Sequence, residues 1–137
     1  MITLPPTVTP ERLFEEMPFA RFLDLRLDIA GNELRTHMPF VPHLIGNPLV
    51  PALHGGVIGA FLEMTAMVQL AVAENLDQIP KPVSVSVQYL RSGKPVSTWA
   101  QAHINRVGRT VAHVEARAWQ DVKENPIALL QAHFVTS

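Results

Sequence analysis

Residues 60–79 contain neither glycine nor proline, and this uninterrupted run constrains the chain more than any other stretch. It begins at the turn His54-Gly55-Gly56 and ends at Pro80, which predicts one long helix from about Gly55 to Leu76. Apolar residues fall on nearly every side of it, the mark of a helix enclosed all round. From Leu53 to Met67 there is a single carboxylate, Glu63. A charge in such a helix is costly to desolvate unless it is paired, opens on a cleft or has a chemical task.

The flanking segments define what encloses this helix. Thr9-Pro10-Glu11 opens a short helix with Thr9 as its N-cap, Leu13, Phe14 and Met17 as its apolar stripe, and Pro18 as its stop. Residues 1–9 are expected to be a loose lead-in, and residues 19–23 a compact apolar connector. Leu25, Leu27 and Ile29, then Leu34, Thr36 and Met38, alternate with charged residues around Gly31-Asn32, which predicts a β-hairpin. Residues 39–51 hold four prolines and predict a stiff loop that walls a site. After the helix, alternation over 83–89, 96–105, 110–119 and 127–135 predicts four more strands. The plan is α+β: a long central helix wrapped by a curved antiparallel sheet of about six strands, in one domain over residues 1–137. Trp99, Trp119 and Phe134 fit no obvious face, which suggests surface left over for another subunit.

Composition narrows the function. Formal net charge is −1 with no basic block, which argues against a nucleic-acid partner. There is no cysteine, which excludes disulfides and a thiol nucleophile. The six histidines show no metal-ligand spacing, and no metal site is expected. The central run approaches the roughly 20 residues that span a bilayer, but Glu63, Gln69 and the strand-like sequence downstream argue for a soluble chain with no membrane partner. The N-terminus has no signal-peptide pattern, and a cytoplasmic location is expected.

The helix neighbours of Glu63 are Gly56, Gly59, Ala60, Ala66, Met67 and Leu70. Small residues there leave a groove, and an apolar groove raises a carboxyl pKa toward the range of a general base. A structural ion pair with Arg91, Arg106 or Arg117 is the competing reading, and both stay open. Gly55 and Gly56 expose backbone N–H groups at the positive end of the helix dipole, where an oxyanion or thioester carbonyl would be polarised. His54 is expected to make a structural bond at the helix start in preference to acting as a base.

His54-Gly55-Gly56-Val57-Ile58 followed by Glu63 resembles the hotdog-fold acyl-CoA thioesterases, of the phenylacetate-degradation and 4-hydroxybenzoyl-CoA thioesterase type. Val85-Ser86-Val87-Gln88-Tyr89-Leu90-Arg91 looks like the strand that follows that family's central helix, and Arg106-Val107-Gly108-Arg109 like its Gly-Arg hairpin. The resemblance implies hydrolysis of an acyl-CoA or aryl-acyl-CoA at a site between two subunits, in a homodimer or homotetramer. It implies Glu63 as base or nucleophile, Gly55 as the amide that polarises the carbonyl, and Asn47 as a further polar group on the preceding loop. Gly56, Gly59 and Met67 would line the substrate groove. Arg91, Lys94, Arg106 and Arg109 would be candidates for the phosphates of CoA, which enters as part of the substrate; no other cofactor is implied. A hotdog hydratase or dehydratase using His43 or His54 beside the acid, and a non-catalytic acyl-CoA-binding module, are the alternatives.

Overall fold

The computed structural model describes residues 10–30, 33–46, 49, 52–76 and 78–136. The expected lead-in over 1–9 with its N-cap Thr9, the turn at Gly31-Asn32, and Asn47 lie outside the described residues.

The elements are α1 (Pro10–Glu15), α2 (Pro18–Phe22), β1 (Arg26–Ala30), β2 (Glu33–Met38), α3 (Gly55–Ala73), β3 (Lys81–Tyr89), β4 (Thr98–Val107), β5 (Val111–Trp119) and β6 (Ala128–Val135), with one 3₁₀ turn at Pro42–Leu44. The strands form one antiparallel sheet in the order β1-β2-β4-β5-β6-β3. The sheet curves round α3, and this is the hotdog arrangement. By length and composition α3 could cross a membrane. Here it is the core helix, with nine of its nineteen residues buried.

The inner face of the sheet explains how the helix fits. Ala100, Ala118 and Ala128 stand in register across β4, β5 and β6, and all three are fully buried. A floor of methyl groups lets α3 come close, so its large residues Phe61, Leu62 and Leu70 are buried without a void. One polar tie crosses this interface. The hydroxyls of Thr65 on α3 and Thr36 on β2 bond to each other, Thr65 Oγ1 also reaches Phe61 O at 2.8 Å, and both residues are buried.

Three expectations are corrected. The connector over 19–23 is largely helical: Pro18 does not only stop α1 but starts α2, at a first-turn position where its fixed φ suits a helix. The long helix ends at Ala73 rather than Leu76. Asn75 takes a left-handed conformation (φ 52°), with Leu76 N–H bonded to Ala71 O at 2.9 Å and Asn75 N–H to Val72 O at 3.4 Å, a Schellman stop. Asp24 (φ 56°) closes α2 in the same way. Finally, Phe134 belongs to the core, Trp119 is buried with the Arg35 guanidinium 5.6 Å from its ring, and Trp99 stacks on His37. Exposed apolar residues cluster on β3 instead, where Val83, Val85 and Tyr89 are 62%, 41% and 52% exposed.

Candidate active site

The site begins at the N-terminus of α3. His54 has extended geometry (φ −62°, ψ 130°) and its Nδ1 accepts the Gly56 N–H at 2.9 Å, so the imidazole caps the helix. The turn is held from both sides. His54 N–H bonds to Leu44 O at 2.8 Å, and Leu53 N–H bonds to Gly93 O at 2.9 Å. Gly93 is required there, because a Cβ would sit 3.0 Å from Ile58 Cδ1 and 3.3 Å from the Leu53 side chain. With Gly56 engaged by His54, the Gly55 N–H makes no hydrogen bond to any described residue.

Tyr89 closes over this turn. Its hydroxyl donates to Gly55 O at 2.7 Å, and a Cβ on Gly59 would lie 3.2 Å from that oxygen. Gly55, Leu53, Tyr89 and Arg91 line a cavity of about 380 Å³. The sequence alone did not single out Tyr89. The available signal was an aromatic at the end of β3 together with two glycines one helical turn apart at the start of α3.

Glu63 lies two turns further along α3. Gly55, Gly56, Gly59, Ala60, Glu63 and Met67 are exposed or half-buried and share one side of the helix, where they form an open stripe. Among the described residues Glu63 has no ion pair: the two salt bridges are Arg12–Glu16 and Arg26–Asp24, and the Arg117 guanidinium bonds to Lys123 O. Burial with no compensating cation pushes the Glu63 carboxyl above the usual carboxylate range. The chemistry available is that of a carboxylate able to take and return a proton, in a groove floored by glycine and alanine.

The arginines separate. Arg91 is beside the Gly55 turn. Arg106 lies on the opposite, convex face of the sheet with His113 and His133. Arg109 is exposed in the 108–110 turn. Lys94 is exposed and held through its backbone by Gln120. His43 packs on Phe22, with ring centroids 4.7 Å apart. Among the described residues no group of three or more His, Asp or Glu could hold a metal.

Residues 51–126 match the family model of the thioesterase superfamily, and the chain belongs to that superfamily. A solved Chromobacterium violaceum protein is 35% identical over 91% of this chain and 87% of its own, with a TM-score of 0.74. A phenylacetic acid degradation-related protein from Ralstonia eutropha shares the fold (TM-score 0.73, 21% identity, 92% of this chain and 98% of that one). So does a Bacillus halodurans protein solved with CoA (TM-score 0.75, 22% identity, 87% of this chain and 78% of that one). No curated protein matches the sequence.

Proposed function

We propose that this protein hydrolyses an acyl-CoA or aryl-acyl-CoA thioester to the free acid and CoA, at a site shared between two subunits. The observation that carries this reading is Glu63: a half-buried carboxylate with a raised pKa and no ion pair among the described residues, on an open stripe of the core helix. Glu63 takes a proton from water as the water oxygen adds to the thioester carbonyl. The resulting oxyanion accepts a hydrogen bond from the Gly55 N–H. The C–S bond then breaks, and the departing sulfur receives the proton from Glu63. Direct attack by the carboxylate, through an anhydride that water opens, uses the same groups.

Helix geometry supports a shared site. Eight residues separate Gly55 from Glu63, about 12 Å along α3 at 1.5 Å per residue. One carbonyl cannot touch both. A second helix lying antiparallel across the open stripe would bring Gly55 of one subunit to Glu63 of the other. The exposed apolar residues of β3, the strand at the edge of the sheet, supply a surface on which such a two-fold could form. Within that dimer the protein is proposed to act in the cytoplasm.

The test is thiol release over a panel of acyl- and aryl-acyl-CoAs, followed by mixing two inactive variants. Gly55→Pro and Glu63→Gln chains, unfolded and refolded together, should recover about a quarter of wild-type activity, one live site in each heterodimer. No thiol release from any CoA thioester would overturn the hydrolase reading. Turnover with no recovery on mixing would overturn the shared site.

A further inference from the structure

The convex face of the sheet carries a second polar cluster, on the side away from the Glu63 stripe. Two irregularities frame it. The β4–β5 register slips between Ile104 and Arg106, and the β3–β6 register slips between Pro82 and Ser84. Each extra residue breaks the two-residue alternation and re-aims side chains. On β4 this brings both Asn105 and Arg106 to His113: Asn105 Nδ2 is 3.2 Å from His113 Nδ1, and Arg106 stands opposite His113 in register. On β3 it brings Ser84 Oγ to 3.0 Å from His133 Nδ1. The two imidazoles between them stack, centroids 4.7 Å apart and planes 28° apart.

Both contacts engage Nδ1 and leave the Nε2 of each ring without a hydrogen bond among the described residues. An amide nitrogen only donates, so His113 Nδ1 accepts and the neutral ring carries its hydrogen on Nε2. A Ser84 hydroxyl donating to His133 Nδ1 sets the same tautomer there. Arg106, His113 and His133, with Val111 as an apolar wall, line a cavity of about 220 Å³. Arg106 has no ion pair among the described residues. No carboxylate lines the cavity; Glu115, two residues along β5, faces His103 and Gln131 in register.

We propose that this cavity binds a phosphoryl group. A guanidinium can engage two oxygens at once, and two imidazole N–H donors remain for the third. A carboxylate has only two oxygens and would leave donors unused. The site stands independently of the hydrolytic reading, because nothing in it touches Glu63 or Gly55. The phosphoryl group can be free phosphate or one carried on a nucleotide, including the nucleotide portion of CoA.

The experiment is a titration of the full-length protein, with ¹⁵N-labelled histidine, by inorganic phosphate, ADP and adenosine 3′,5′-bisphosphate in turn. The Nε2 signals of His113 and His133 should move together and saturate. Saturation at lower concentration with a nucleotide than with phosphate identifies a nucleotide-borne group, and equal saturation identifies the free anion. Arg106→Gln should weaken binding by about tenfold or more, the loss of one charge-assisted contact. His113→Gln should weaken it as well, and Glu63→Gln should leave it unchanged. Unmoved histidine signals with all three anions, or wild-type affinity in both Arg106→Gln and His113→Gln, would overturn the proposal.

Discussion

The Tyr89 hydroxyl donates a 2.7 Å hydrogen bond to the carbonyl of Gly55, tying the last residue of β3 to the first residue of the core helix. The bond anchors Gly55, the residue whose N–H is the proposed donor to the thioester oxygen. Tyr89→Phe removes one hydrogen bond worth about 1 kcal/mol. The expected result is a roughly fivefold lower kcat with unchanged circular dichroism. Gly59→Ala places a methyl 3.2 Å from the same hydroxyl and should lower kcat in the wild-type background. In Tyr89→Phe, with the hydroxyl gone, Gly59→Ala should cost little further. Equal cost in both backgrounds would show that the phenol is not what the methyl strikes.

Glu63 ties activity and stability to pH in opposite directions. As a base it must be deprotonated, so the acid limb of kcat should lie above the usual carboxylate range and vanish in Glu63→Gln, whose turnover should fall by about a hundredfold or more. Folding penalises the charged form. The stability due to the protonated group is therefore complete below its unfolded pKa and is lost as pH rises through the raised folded value. At neutral pH the charge is only a cost, so Glu63→Gln should melt higher than wild type, with the difference shrinking toward low pH. A lower melting temperature at pH 7 would mean that Glu63 has a stabilising partner.

Gly55→Pro isolates the amide. Proline is suited to the first helical position, and His54 already has the extended geometry favoured before proline. The variant should fold and melt near wild type yet lose most of its turnover. Retained activity would exclude the Gly55 N–H as the oxyanion donor.

Lysine at both Val83 and Val85 should keep the proposed dimer apart, because two copies of β3 would bring four new charges to one seam. Size-exclusion chromatography with light scattering should show monomer, and thiol release should fall with it.

Thr65→Val should lower stability by about 1–2 kcal/mol in denaturant unfolding, because it removes the tie between α3 and β2 and leaves Thr36 only its longer 3.4 Å contact with Ala100 O.

Much of this architecture was legible because glycine and proline punctuate the sequence. The start of α3 is marked by His54-Gly55-Gly56, and alternation located every strand to within two residues. Strand order was not legible. Four strands in succession suggest neighbours paired in sequence, yet β3 lies beyond β6, because edge pairing is decided by the curvature that wraps α3 and not by local pattern. Pro18 was ambiguous for a simpler reason: the same ring that ends one helix starts the next. In the site, Glu63 stood out as a charge in an apolar run, while the fate of each arginine depended on which sheet face its strand presents. The bulge at Asn105 that turns Arg106 toward the histidines has no composition signal.

The position of β3 also governs how the chain is built during translation. Its one neighbour in the sheet, β6, is the last of these six strands to be synthesised, so residues 81–89 are made about forty residues before the strand that pairs with them. Throughout that interval a valine-rich strand has two open edges on the nascent chain. Loss of the final ten residues would therefore do more than shorten the protein. It would remove β6 entirely, leave β3 unpaired, and open the alanine floor under the core helix.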